Sequence, residues 1–245
     1  MVKAVIFDFY NTLAETTNWG PSWEQLVGEL GYVLPADVRE RWWNDGIDGT
    51  EHDEHSISRA HYVAWQQSRV RSMLGECGVP GPVQDVLIER VREISAHNRV
   101  DAYEEVEHVL RGLRARGVAL AICSNWDWDL HEAVEAAGLT GSVDVVVSSA
   151  WVGARKAHPR IYAHTLEQLG VAPEDALFVG DTWACDVEGP RRAGMHAVYL
   201  RRPHLGVDHT APERERTPSD VHHARDLWAV EGLARQFTAR SRPSQ

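Results

Sequence analysis

Residues 2–12, VKAVIFDFYNT, open with an apolar run from Val2 to Phe7 that is broken only by Lys3 and is followed by Asp8 and the turn-forming Asn11. A short, β-branched, continuously apolar run reads as a strand buried on both faces, the habit of parallel sheets. Four further runs share that character: Val118 to Cys123, Val143 to Val147, Ala176 to Val179 and His196 to Leu200. Amphipathic stretches alternate with them, Glu104 to Arg116, Asp129 to Ala137, Pro159 to Leu169 and Val187 to Ala193. Gly117, Gly138, Gly170 and Gly194 follow these stretches, where a left-handed helix cap is wanted. Strands alternating with helices imply an α/β fold, a doubly wound parallel sheet with helices on both faces.

Residues from about Ala14 to Ala102 interrupt the alternation. They carry helical patterns (Trp23 to Leu30, Ala36 to Trp43, Ser56 to Leu74, Val83 to Ala96) and no convincing buried strand. The expectation is a core of residues 1–13 and 103–238, an all-helical insertion over 14–102, and a disordered tail at 239–245. An insertion placed at the sheet's ligand-binding edge is suited to act as a lid. Arg202 to Asp220, rich in Pro, His and charge, reads as a loop.

The chain has 245 residues and a formal net charge of −11. An acidic balance argues against duplex nucleic acid or an anionic membrane as partner and leaves a small molecule. Oligomeric state is not fixed by the sequence, and a homodimer stays open. Cys77, Cys123 and Cys185 form neither a disulfide framework nor a thiolate zinc site, which fits a reduced cytoplasm. The N-terminus lacks the basic start and long apolar run of a signal peptide, and no stretch approaches the ~20 apolar residues of a membrane span.

Four segments stand at or near carboxyl ends of the expected strands: Asp8-Phe9-Tyr10-Asn11-Thr12, Ser124-Asn125, Lys156 in ARKAHPRIY, and Gly180-Asp181-Thr182-Trp183-Ala184-Cys185-Asp186. Open parallel sheets bind ligands at that edge. Asp8, Asp181 and Asp186 converging there would make a negative site in need of a divalent cation, and hard oxygen ligands select Mg²⁺. With the cation and Lys156 offsetting phosphate charge, Asp8 is a candidate nucleophile on phosphorus, with Ser124 and Thr12 holding phosphoryl oxygens.

The ordered set resembles the haloacid dehalogenase superfamily, most of whose members are Mg²⁺-dependent phosphatases with a Rossmann-like core, and the insertion looks like that superfamily's helical cap. The resemblance implies Asp8 as nucleophile and metal ligand, Tyr10 as a ligand through its carbonyl, Ser124 on phosphate, Lys156 as the charge-neutralising lysine, and Asp181 on the metal with Asp186 supporting it. Asn125 is a substrate-site candidate or a cap for the following helix. The expected activity is hydrolysis of a small phosphorylated metabolite through an aspartyl-phosphate.

Tyr10 departs from the phosphatase pattern, in which a second Asp serves as general acid and base. The dehalogenase branch carries Tyr there, followed by Gly and Thr, and needs no metal because its Asp attacks carbon. Tyr10, the Ser124-Asn125 pair and Tyr162, six residues after Lys156, fit that branch, which would also want a cap arginine for the substrate carboxylate; Arg39 and Arg41 are candidates by position. Gly180-Asp181 and Asp186 keep the metal-binding form, which favours the phosphatase. A third reading is a ligand-binding member whose turnover was lost with the acid.

Tryptophan is overrepresented, at 10 copies. Trp126 and Trp183 directly follow active segments, Trp128 and Trp151 lie close in sequence, and Trp19, Trp23, Trp42, Trp43 and Trp65 fall in the insertion. Trp126 and Trp183 are candidate walls of an aromatic pocket, while the insertion's indoles read first as packing it on the core. Glu51 to His55 with His61 reads as a polar loop rather than a metal site, and His158 as a helix-start residue.

Overall fold

The computed structural model describes residues 2–18, 20–42, 47–95, 97–213 and 217–239, with side chains to residue 233. Strand β1 (Ala4–Phe7) lies at the centre of a six-stranded sheet. Two short strands, β2 (Ala14–Thr16) and β3 (Val100–Ala102), form a separate antiparallel pair. The main sheet continues with β4 (Ala119–Ser124), β5 (Val145–Ser148), β6 (Ala176–Gly180), β7 (His196–Leu200) and β8 (His222–Ala224). Its order is β5-β4-β1-β6-β7-β8, and every pairing is parallel. Along one side the chain runs outward from β1 to β5, and along the other from β6 to β8. The crevice between β1 and β6 is therefore the topological switch point, where such sheets bind ligands.

Alternation along the strands explains why both faces are apolar. Val5, Phe7, Leu120, Ile122, Leu177 and Val179 point to one face, where helices α5 (Val106–Arg114), α6 (Leu130–Ala136) and α10 (Leu227–Ala239) cover them. Ile6, Ala121, Cys123 and Phe178 point to the other, against Ile161, Tyr162 and Leu166 of α8 (Pro159–Leu169). The glycines expected to close helices do so: Gly117, Gly138, Gly170 and Gly194 all take positive φ.

Three readings of the sequence are corrected. The insertion is not purely helical, because β2 and β3 pair at its two ends; three-residue strands are too short to register as a periodic pattern. Between them lie α1 (Trp23–Gly28), α2 (Ala36–Trp42), α3 (Arg59–Glu76) and α4 (Gly81–Ser95), around a separate core that includes Leu26, Val27, Met73, Leu74 and Leu87. The helix expected over Val187 to Ala193 is a π-helical turn at Trp183–Glu188 followed by α9 (Gly189–Arg192). Strand β8 and helix α10 complete the sheet beyond the expected last strand. Between β5 and α8 lies the short α7 (Ser149–Val152). Trp19, Trp43 and the tail beyond Ala239 lie outside the described residues.

Backbone hydrogen bonds among the described residues fasten the insertion to the core along an extended crossing. Gly49 N donates to Lys156 O at 3.0 Å, Arg155 N to Thr50 O at 3.0 Å, and His52 N to Gly153 O at 2.7 Å. His52 is buried, stacks on Trp65 at 4.9 Å between ring centroids, and shares a hydrogen bond with Ser56 through Nδ1 at 3.0 Å, while its Nε2 has no partner among the described residues. Burial, with Arg155 nearby, pushes its pKa down to about 4. A histidine held neutral by the fold contributes stability above its unfolded pKa of ~6.5 that is lost as pH falls toward the folded value. The His52 contribution is thus expected to be lost between about pH 6.5 and 4, so that the melting temperature of the wild type relative to His52→Phe falls across that window, as followed by thermal unfolding of both across pH. An unchanged pH profile in the variant would refute this role of His52.

Candidate active site

Asp8 directly follows β1, and its backbone N donates to Val179 O at 2.9 Å, tying it to the end of β6. The loop then turns sharply: Leu13 N and Ala14 N both donate to Phe9 O, and Asn11 takes φ 59°, a conformation asparagine tolerates. Arg202 anchors this loop from outside. Its guanidinium donates to Thr12 O at 2.8 Å and Asn11 O at 3.2 Å, and forms a buried ion pair with Glu105 at 2.8 Å.

The sequence-expected residues converge at this sheet edge. Lys156 Nζ donates to Asp8 Oδ1 and to Asp186 Oδ1, both at 2.7 Å, and is itself only 2% exposed. Ser124 Oγ, at the end of β4, donates to the same Asp8 oxygen at 2.9 Å. Thr182 N donates to Asp186 Oδ2 at 2.9 Å. A Cβ at Gly180 would collide with the Asp186 carboxylate, so glycine there is a packing requirement. Asp181 receives Asn11 Nδ2 at 3.4 Å and lies 3.7 Å from Arg201 Nη1.

Asp8, Asp181 and Asp186 are all buried, and one oxygen from each lies within 4.8 Å of the others, the single such cluster among the described residues. Burial, with the charges of Asp8 and Asp186, pushes the Asp181 carboxyl up to about 8. Burial likewise pushes Asp186 up to about 6, against the pull of Lys156. Burial opposes the Lys156 charge as well, but Asp186 and Asp8 outweigh it and hold the ammonium well above the ordinary lysine value. One ammonium thus faces three carboxylates. The surplus negative charge on hard oxygen donors in a compact triad fits a divalent cation such as Mg²⁺.

Other expected residues take definite places. Tyr10 is half-buried, 6.1 Å from Trp126 between ring centroids, and desolvation raises its phenol above the ordinary value. Thr12 Oγ1 is buried without a hydrogen-bond partner among the described residues. Asn125 is not a helix cap: its Nδ2 donates to Asp48 Oδ1 at 2.9 Å and Lys156 O at 2.8 Å, and its Oδ1 accepts from Lys156 N at 2.7 Å. Trp183 does not wall the site. Its indole is buried with Val187, Ala197, Tyr199 and Val221 and donates to Glu188, because the π-helical turn directs it away from the carboxylates. Tyr162 is a core residue whose hydroxyl donates to Cys185 O at 2.6 Å. Arg39 and Arg41 pair with Glu24 and with Asp37 and Glu76 on the surface of the insertion. His158 caps α8, accepting from Arg160 N at 3.3 Å.

Two residues escaped sequence reasoning. Asp48, from the insertion, receives Arg155 Nε and Asn125 Nδ2, both at 2.9 Å. Arg155 is almost fully buried. Its position directly before Lys156 was the available signal.

A family model described as haloacid dehalogenase-like hydrolase matches residues 2–194. Phosphoserine phosphatase of Thermus thermophilus is 40% identical over 120 residues, 46% of this chain and 48% of that protein. Haloacetate dehalogenase H-2 of Moraxella sp. (strain B) is 34% identical over 209 residues, 84% of this chain and 89% of that protein. The structure of L-2-haloacid dehalogenase from Xanthobacter autotrophicus with chloropropionic acid covalently bound superposes with a TM-score of 0.58 at 24% identity, covering 96% of this chain and 99% of that one. The chain spans about half the length of several curated relatives that it matches, the phosphoserine phosphatase among them. No helix among the described residues is long and apolar enough to cross a membrane.

Removing Lys156 leaves buried carboxylates without their counter-charge. Lys156→Met is expected to cost the metal-free protein about 3–5 kcal/mol, read from urea unfolding in EDTA, whereas a loss under about 1 kcal/mol would show that the carboxylates do not depend on this ammonium.

Proposed function

The chain belongs to the haloacid dehalogenase-like hydrolases, and from that premise we propose that it is a Mg²⁺-dependent phosphatase of small phosphorylated metabolites with Asp8 as nucleophile. The observation that carries the proposal is the third carboxylate. A site that attacks carbon needs Asp8 and a lysine; it gains nothing from Asp181, whose burial beside two other acids is costly unless a cation joins them. Asp8, Asp181, Asp186 and the Tyr10 carbonyl would hold Mg²⁺, which supplies charge neutralisation and polarises the phosphoryl oxygens.

The chain's own residues do the rest. Lys156 and Ser124 both hold Asp8 Oδ1, which leaves the other carboxylate oxygen to attack phosphorus. The P–O bond to the leaving group breaks as the Asp8–phosphorus bond forms, and water then releases phosphate and regenerates the carboxylate. Ser124, Thr12 and Asn125 are the proposed phosphoryl-side contacts, with Trp126 against the substrate body. The Thr12 hydroxyl, which has no partner among the described residues, supports that assignment, since a buried polar group without a partner is costly. Tyr10 stands where the phosphatase pattern has its acid. A phenol raised above ~10 keeps its proton at neutral pH and offers a hydrogen bond rather than efficient proton transfer.

A second reading has Asp8 attack the halogen-bearing carbon of a 2-haloacid and expel halide without metal. Tyr10 and the identity with haloacetate dehalogenase H-2 favour it. The two separate cleanly in one assay. Phosphate release from acyl, aryl and sugar phosphates is expected with Mg²⁺ and is expected to vanish with EDTA or in Asp8→Asn. Halide release from 2-chloropropionate in EDTA, with no phosphate release from any substrate, would overturn the phosphatase.

Restoring the acid gives a further test. Tyr10→Asp is expected to raise the hydrolysis rate of alkyl phosphates by at least ~10-fold, a part of the ~10²–10⁴-fold that general acid catalysis contributes, with little gain on acyl phosphates, whose leaving groups need no proton. Equal gains on both classes would contradict the role given to position 10. A wild type inactive on every phosphate and made active by Tyr10→Asp would identify a binding protein that lost turnover.

A further inference from the structure

Strand β7 is followed by two consecutive arginines, and each is tied to a different acid-bearing loop. Successive side chains along a strand point to opposite faces. Leu200 and Arg202 accordingly turn toward the face that α5 covers, and Tyr199 and Arg201 toward the other. Arg201 Nη1 donates to Asp181 O at 2.9 Å, and its Nη2 donates to Gly206 O. Arg202 reaches past β6 to the loop after β1, where its Nε donates to Asn11 O at 3.2 Å and its Nη2 to Thr12 O at 2.8 Å. The next carbonyl, Leu13 O, accepts from Tyr103 N at 3.0 Å, and the Tyr103 ring centroid lies 3.4 Å from the Arg202 guanidinium carbon. Three consecutive carbonyls between Asp8 and β2 are therefore held from outside the loop.

An ion pair alone does not account for this arrangement. Arg202 and Glu105 are both buried, with Nη2 at 2.8 Å from Glu105 Oε1, which also accepts from Leu227 N at 3.4 Å. Glu105 thus fixes the guanidinium beside the starts of α5 and α10. The planar fork turns further N–H groups to two successive carbonyls, which the single ammonium of a lysine does not match. The loop has need of such support, because Asn11 takes φ 59° within it. Asn11 is also the loop's contact with the opposite acid, through Nδ2 to Asp181 Oδ2 at 3.4 Å. One residue therefore links Arg202 to Asp181.

We propose that Arg202 is a positioning residue for the acidic site: by holding the Asn11 and Thr12 carbonyls it sets where Asp8, the Tyr10 carbonyl and the Thr12 hydroxyl stand relative to Asp181, whose own backbone Arg201 holds. The two arginines fix the separation of the two strand-end loops, and with it the spacing of the oxygens that would receive a divalent cation. The consequence for a cation rests on the Mg²⁺ reading of the site, whereas the anchoring of the loop stands without it.

Arg202→Lys keeps a cation beside Glu105 and removes the fork. Hydrogen–deuterium exchange of the full chain in EDTA reads the anchoring without metal or turnover. Exchange of the Leu13 and Ala14 amides, which donate to Phe9 O, is expected to quicken by at least about tenfold in the variant, the worth of one charge-assisted hydrogen bond. Peptides covering β6 are expected to exchange as in the wild type. The double variant Arg202→Met with Glu105→Gln removes both buried charges and carries the test if Arg202→Lys does not fold. Mn²⁺ serves as the probe for the cation, its free fraction read by electron paramagnetic resonance, and is expected to bind either variant at least about tenfold more weakly. An arginine that serves only as partner to Glu105 would shift the melting temperature and leave both readings unchanged. Unchanged exchange, or a loosened loop with Mn²⁺ affinity within about threefold of the wild type, would overturn the inference. A wild type that binds no Mn²⁺, with a loop that loosens in the variant, supports the anchoring and sinks the Mg²⁺-dependent phosphatase. Mn²⁺ binding that is indifferent to Arg202 does the reverse.

Discussion

Three buried carboxylates share one buried ammonium, and the arrangement of this molecule follows from that imbalance. Lys156 Nζ sits 2.7 Å from both Asp8 and Asp186, so its charge is already committed to two acids before Asp181 is counted. Desolvated like charges at this separation cannot all ionise without compensation. The fold supplies part of it through protein donors: Ser124 on Asp8, Thr182 N on Asp186, and Asn11 and Arg201 at the edge of Asp181. The remainder is left to a proton or a cation, and this shared demand makes the site both a liability for folding and an opening for chemistry.

The sheet brings these groups together because β1 and β6 are neighbours whose connections run in opposite directions. Asp8 and Asp181 leave adjacent strand ends, while Ser124 leaves β4 on the far side of β1. Lys156 comes from the segment before α8, and its backbone is held by Asn125 on one side and by Gly49 of the insertion on the other. The insertion thus grips the chain at Lys156 itself and at the residues just before it. Direct backbone hydrogen bonds join the insertion to Arg155 and Lys156, while the ammonium itself is held by Asp8 and Asp186.

Much of this was legible in the sequence, for identifiable reasons. Strands buried on both faces are continuous apolar runs, so β1, β4, β6 and β7 announce themselves, and glycine at the helix ends marks the boundaries between elements. Asp8 and Asp181 follow from their places at strand ends, and Lys156 and Asp186 from their spacing relative to them. What stayed hidden depended on distance across the fold. Trp183 stands two residues after Asp181 in sequence, yet a π-helical turn carries its ring into the core. Asp48 and Arg69 lie in the insertion, far along the chain from the motifs, and only the docking of the insertion brings them near Arg155. The β2–β3 pair was invisible because its strands are three residues long.

The departure at position 10 bears on the leaving group. Without an efficient acid, the oxygen that leaves phosphorus must carry its own negative charge away. An alkoxide, with a conjugate acid near that of water at ~15.7, is a poor candidate. A phenolate, near ~10 like tyrosine, asks for several orders of magnitude less assistance. An aromatic body bonded directly to the bridging oxygen would relax the need for the acid that Tyr10 does not provide. Under the proposed phosphatase reading, a phenol-like leaving group would perform, at a site with Tyr10 in this position, the part that a second aspartate performs in the phosphatase pattern.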